Sequence, residues 1–229
     1  EISACLVGSE MCIRDRMMHP FTKTEIYEAL VERHTAAYQE KLDAGHVAIA
    51  GLGGLGSNVA FALARLGVGH LHLIDFDRVD LTNLNRQQYL LRHVGMYKTD
   101  ALKEQLLQIN PYLDITTDCV KVTSENLKTL FADADIICEA FDNAETKAMF
   151  VNGILECFPQ KKLVCASGMA GFGSSNTIHT RKIGSNFYLC GDETTDIAHG
   201  QCLMAPRAAL CAAHESNMIA RLLLGEETV

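Results

Sequence analysis

A handful of residues in this chain have the types and spacing to handle a phosphorylated nucleotide. Gly51, Gly53 and Gly56 fit G-x-G-x-x-G, with Gly54 inside the same turn. Glycines there permit a tight turn and a close backbone approach. A helix starting at that turn points free N–H groups and the positive end of its dipole at phosphate. Asp75, 19 residues past Gly56, can accept hydrogen bonds from ribose hydroxyls. Asp77, Asn83, Asn85, Arg86, Gln87 and Gln88 follow in a long polar connection, and arginine can grip two phosphate oxygens at once. Lys98 adds a cation at a helix start, where the dipole favours an acid; it reads as a site residue or as an ordinary surface lysine. Asp142 can hold Mg²⁺ on phosphates or cap the helix after it, and both can be true.

Such residues need elements that bring them to one place. The apolar run Val47 to Ala50 predicts a buried parallel strand ahead of the glycines. Leu55, Val59, Leu63 and Leu66 lie at helical spacing after them, Gly67 to Gly69 end that helix, and Leu71 to Ile74 form a second strand. Lys98 to Asn110 reads as a helix with Leu102, Leu106 and Ile109 on one face. Leu113 to Val120 is the third strand, and Ser124 caps a short helix ending near Phe131. A fourth strand begins at Asp135 to Cys138 and delivers Glu139 to Asn143 at its C-terminal end, where doubly wound sheets bind ligands.

A helix from Ala144 to Leu155, a fifth strand from Lys162 to Ala166 and an edge strand from Ser174 to Arg181 follow. Gly184 to Gln201 carries little sign of regular structure and reads as flexible. Pro206 opens a last helix with Cys211, His214, Met218 and Leu222 on one stripe, His214 as a core or boundary residue. His19 to Leu42 gives one or two helices ahead of the sheet, with Arg33 on a solvated face. The expected fold is α/β: a Rossmann-like, doubly wound, mostly parallel sheet with helices on both faces and an N-terminal helical segment.

The 229 residues suit one large domain. Residues Glu1 to Arg16 show neither helical nor strand period. Met11-Cys12-Ile13-Arg14-Asp15 resembles the translation of a transposon-end adapter used in sequencing libraries. The expectation is a non-native tail over residues 1–16, with the true start at Met17 or Met18. A net charge of −8 without a long basic run makes nucleic acid a poor partner. No apolar run approaches membrane-spanning length, so no membrane role is expected. The nine cysteines form no C-x-x-C pair, which suits free thiols in a reducing cytoplasm. An NAD-dependent oxidoreductase would explain Gly51 to Asp75 and leave Arg86, Lys98 and Asp142 without roles.

Gly51-x-Gly53-Gly54-Leu55-Gly56, Leu73-Ile74-Asp75-x-Asp77, Asn83-Leu84-x-Arg86-Gln87, Lys98 and Asp142-Asn143 agree in order and spacing with one family. The combination resembles the ThiF/MoeB/HesA family of adenylating enzymes related to ubiquitin activators. Asn-Arg-Gln together with Met204-Ala205-Pro206-Arg207 looks most like the short, divergent ThiF group of thiamine biosynthesis.

The resemblance implies that residues 17–229 form a single ThiF-type ATP-binding adenylation domain, a nucleotidyltransferase. It would use Mg-ATP to adenylate the C-terminal glycine of a ThiS-like, ubiquitin-fold sulfur carrier, releasing pyrophosphate. A MoaD-like carrier or a tRNA base is the alternative acceptor. Asp75 would hold the ribose, Arg86 and Lys98 would neutralise phosphate charge, Asn83 and Gln87 would position the nucleotide, and Asp142 would bind Mg²⁺. Asp77 and the four glycines complete the nucleotide site. The resemblance also implies a homodimer, with Arg33 the candidate for an arginine reaching the partner's site. Many relatives hold a structural zinc through two C-x-x-C pairs; here Phe187 to Cys190 has one cysteine, so no such zinc is expected. Cys202 and Cys190 are the candidates for a sulfur-relay thiol.

Overall fold

Strand β1 (His46–Ala50) is an unbroken apolar run because both its faces are covered; Val47 to Ala50 are fully buried. In this computed structural model, which describes residues 21–196 and 202–229, β1 sits mid-sheet. The expected non-native tail at residues 1–16 lies outside the described residues. Val47 and Ile49 point to one face and Ala48 and Ala50 to the other, so one strand feeds two separate cores.

Ahead of it come α1 (Lys23–His34) and α2 (Ala36–Asp43). A capping box at Thr22 starts α1, the Thr22 side chain accepting from the Glu25 N–H and the Glu25 carboxylate accepting from the Thr22 N–H. The chain continues through α3 (Gly56–Leu66), β2 (His70–Ile74), α4 (Lys98–Ile109), β3 (Asp114–Asp118), α5 (Leu127–Leu130), β4 (Ile136–Glu139), α6 (Ala144–Cys157) and β5 (Lys162–Ala166). It closes with β6 (His179–Ile183), β7 (Phe187–Gly191) and α7 (Ala205–Leu224). The seven strands run β3-β2-β1-β4-β5-β7-β6, all parallel except β6, which is antiparallel to β7. One core joins the sheet to α3, α4 and α7, and the other joins it to α5 and α6.

The strand order reverses between β1 and β4. There Ala50 pairs in register with Ile74 of β2 and Glu139 of β4. The three C-terminal ends are therefore level, and the residues after them, Gly51, Asp75 and Ala140, open into one crevice at the switch point.

Three local expectations differ from the structure. Phe187–Gly191, expected to be irregular, is strand β7 beside β5, with Tyr188 and Cys190 fully buried. The run is short and flanked by Gly184 and Gly191, so it carries no local period; the open edge of β5 is what makes it a strand. Residues 197–201 of that segment lie outside the described residues. The edge strand falls at His179–Ile183, because Ser175–Thr177 is taken by a 3₁₀ turn capped by Ser174. Asn126, and not Ser124, occupies the N-cap position of α5, and its side chain accepts from the Thr123 N–H and donates to the Lys121 carbonyl.

Candidate functional site

Steric demands fix the glycine loop. Gly51 has φ +91°, and a Cβ there would lie 2.8 Å from the Ala140 carbonyl oxygen. A Cβ on Gly56 would lie 1.8 Å from the Gly51 carbonyl oxygen, so only glycine lets α3 begin this close to β1. Gly54 serves a third purpose: the Arg86 stem crosses it, with Cγ 3.3 Å from where a Cβ would stand. Leu52, inside the loop, is held from two sides. Its N–H donates to Asp75 Oδ2 at 2.7 Å, and its carbonyl accepts the Tyr89 hydroxyl at 2.8 Å.

The loop, Asp75, Asp77, Arg86, Gln87, Lys98 and Asp142 line one cavity of about 240 Å³. Asp75 also accepts the Asp77 N–H at 2.8 Å, which leaves lone pairs for a further donor. Lys98 Nζ lies 2.7 Å from Asp77 and 3.8 Å from Asp75, so the cation at the start of α4 is offset by two acids. Arg86 donates to Asn85 Oδ1 at 2.8 Å and, among the described residues, pairs with no acid. Gln87 Oε1 is buried without a hydrogen-bond partner among the described residues, an unusual state that a ligand's donor would relieve. The Asp142 carboxylate is exposed and unpartnered among the described residues, while Asn143 caps α6 through the Thr146 N–H. An unpartnered carboxylate at the cavity mouth suits a hard cation.

Two of the residues predicted to bind the nucleotide stand outside the lining. Gly56 acts by packing. Asn83 accepts the Asp80 N–H at 3.0 Å and shapes the 3₁₀ turn that presents Arg86.

Residues 27–229 match the ThiF family. The chain belongs to the ThiF family. It is 42% identical over 110 residues to the molybdopterin-synthase adenylyltransferase of Haemophilus influenzae, covering 48% of this chain and 45% of that protein. It is 33% identical over 153 residues to the sulfur carrier protein ThiS adenylyltransferase of Escherichia coli, covering 66% and 60%. This chain thus spans less than two thirds of the length of the curated relatives it matches. In architecture it is similar to the E. coli tRNA N6-threonylcarbamoyladenosine dehydratase TcdA solved with ATP: TM-score 0.79, 20% identity, covering 90% of this chain and 98% of that one.

Sequence reasoning missed several parts of this ThiF-family site. Phe76, Val120, Val122 and Phe141 give the cavity apolar walls. They come from three separate strand ends, and no spacing in the sequence joins them. Tyr89 is a silent apolar residue in the sequence and a prop of the glycine loop in the fold. Asn58 and Ser57, on α3, fasten the Arg86 turn by bonds to the Arg86 carbonyl and the Gln88 N–H.

A second cavity of about 190 Å³ shares Leu55, Phe141, Asp142, Met169 and Leu203 with the first. Lys147 is the one cation among its described lining residues. Of the residues in two ion pairs near it, only Lys147 is part of its lining. Lys147 Nζ contacts both oxygens of Glu139, at 2.7 and 2.6 Å, and Arg207 pairs with Asp192. Burial works to lower the Lys147 pKa, and Glu139 more than offsets it, so the ammonium stays charged. Burial works to raise the Asp192 carboxyl; the N–H groups of Thr195 and Thr194, with Arg207, outweigh it and hold it below its usual range.

The thiols differ sharply. Burial pushes Cys190 up to about 12, while Cys202 is exposed. Among the described residues no group of three or more His, Cys, Asp or Glu gathers to hold a metal. No helix among them is long and apolar enough to cross a membrane. Arg33 is exposed in the last turn of α1 and does not line either cavity.

Proposed function

We propose that this chain is an ATP-dependent adenylyltransferase acting on the C-terminal glycine of a ThiS-like, ubiquitin-fold sulfur carrier in thiamine (thiazole) biosynthesis. One observation carries the reading: a glycine-loop cavity with one cation that, among the described residues, meets no acid and one held by two acids adjoins a second cavity at a carboxylate with no partner among those residues. The first cavity suits ATP, its apolar walls taking the base and Asp75 the ribose. The second would take the carrier's glycine tail. Arg86 and Lys98 would draw charge from the phosphates as the carrier carboxylate attacks the α-phosphate and pyrophosphate leaves. Lys98 would exchange contact with Asp77 for phosphate oxygen. Gln87 would spend its free acceptor on a nucleotide donor. A carboxylate is already a nucleophile, so no general base is required. Asp142 would hold Mg²⁺, which supplies charge neutralisation on the phosphates.

The same reading has the chain working as a cytoplasmic homodimer, with Arg33 reaching the partner's site and Cys202, in preference to the buried Cys190, as the thiol able to accept sulfur. Pyrophosphate release from Mg-ATP tests it, run alone, with a ThiS-like carrier, and with that carrier lacking its terminal glycine. Release that needs the intact terminus supports the reading. Release with a MoaD-like carrier, or with tRNA, in its place would move the assignment to that acceptor; the net charge of −8 weighs against tRNA.

A further inference from the structure

Asp142 sits where the two cavities meet, yet no side chain holds its carboxylate among the described residues. Its position is therefore set by the backbone of residues 140–143. Three bonds fix that backbone. The Ala140 N–H donates to the Ala50 carbonyl at 2.8 Å, and Asn143 caps α6. Between them, the Phe141 N–H donates to Glu139 Oε1 at 2.7 Å. Glu139 is fully buried at the end of β4 and has its second oxygen on Lys147, at 2.6 Å. Lys147 reaches on to the Ala166 carbonyl at 2.8 Å, tying β4, α6 and β5 together beneath the turn. A buried ion pair is a costly way to fill space, since apolar residues of similar volume often do as well or better. Its placement under the free carboxylate points to a role in positioning.

We infer that Glu139 and Lys147 are a positioning pair: they hold the 140–143 turn so that Asp142 meets a divalent cation bound with the nucleotide. The inference rests on the nucleotide reading above and adds two residues to it.

Calorimetric ATP affinity, in EDTA and in Mg²⁺, tests the pair in the full chain. Wild type binds more tightly with Mg²⁺, and Asp142→Asn loses that gain. The double variant Glu139→Leu, Lys147→Met removes both charges and the acceptor for the Phe141 N–H while keeping volume. It loses about tenfold of the Mg²⁺-dependent gain, the usual scale for groups that orient a ligand, and leaves affinity in EDTA unchanged. Glu139→Asp with Lys147→Arg shortens one side and lengthens the other, so it restores the gain.

A double variant that keeps the full gain overturns the pair's role, as does one that loses EDTA and Mg²⁺ affinity equally. If that variant fails to fold, Lys147→Arg alone decides: its longer head displaces Glu139 and reduces the gain, and a folded Lys147→Arg with wild-type gain overturns the inference. Wild type that binds ATP with no Mg²⁺ gain also overturns it. Wild type that binds no ATP fails the nucleotide reading itself.

Discussion

The two halves of the site handle charge in opposite ways. On the β1–β2–α4 side, Lys98 meets Asp77, whose side chain is 50% exposed, and Arg86 meets no acid at all among the described residues. On the β4–β5–α7 side, Glu139 is fully buried and pairs with Lys147, whose side chain is 24% exposed, and Asp192 and Arg207 are 4% and 5% exposed. The first half keeps its cations available to an incoming anion. The second spends its cations on holding strands, turns and the start of α7 in place. A buried pair contributes specificity of arrangement and little free charge, while a half-exposed one can change partners at small cost. The contrast predicts that removing a free cation of the first half removes activity and leaves stability, and that breaking the Asp192–Arg207 pair of the second half costs stability.

Arg86→Ala makes the largest expected difference on the first side. Pyrophosphate release falls by about 10²–10³-fold, the scale for losing one preorganised donor to a developing charge, and the melting temperature stays within about 2 °C. Equal loss of stability would erase the distinction between the halves. Arg207→Met, on the second side, strands a buried acid. Denaturant unfolding reads a loss of about 3 kcal/mol. The wild-type increment from Asp192 is fully present above the ordinary carboxylate pKa, about 3.9, and fades as pH falls through its lower folded value.

Glu215→Gln sharpens the comparison from within the second half. Glu215 is fully buried on α7, and burial, reinforced by the Glu139 charge, pushes its pKa well above the usual range. Folding therefore favours its protonated form, and that contribution fades as pH rises from the ordinary value, about 4.3, toward the folded one. The amide escapes this loss, so Glu215→Gln gains stability over wild type as pH rises, by about 1 kcal/mol or 2–4 °C at pH 8. Melting curves at pH 5 and pH 8 read the difference, and a gain that shrinks with pH would contradict it. Asn83→Ala makes the smallest change. It loosens a 3₁₀ turn that lies outside the cavity lining, so ATP affinity falls by about 0.5 kcal/mol. A tenfold loss would restore Asn83 to direct contact with the nucleotide.

Much of the first half is legible in the chain. The glycines, Asp75, Arg86 and Lys98 fall within 48 residues of one another, because one βαβ unit and its following connection build that side. Glycine spacing, strand runs and helical periods are local signals, and they agree here. The second half gives no such signal. Glu139 pairs across eight residues, and Asp192 and Arg207 stand 15 apart in the sequence. Nothing in their types marks them, since an acid and a base are most often solvated surface residues. Strand β7 was hidden for the same reason: its hydrogen bonds are shared between β5 and β6, and only the assembled sheet offers both partners.

The sequence by itself determined the βαβ unit, the glycine loop, the class of fold and the polar connection, because short-range sterics and hydrophobic period decide those before any distant contact forms. Tertiary structure alone decided which acids keep their charge and, among the described residues, which cations meet no acid and that Asp142 has no partner where two cavities meet. Those properties depend on burial and on partners from separate strands, and desolvation acts only once the chain has closed around the group.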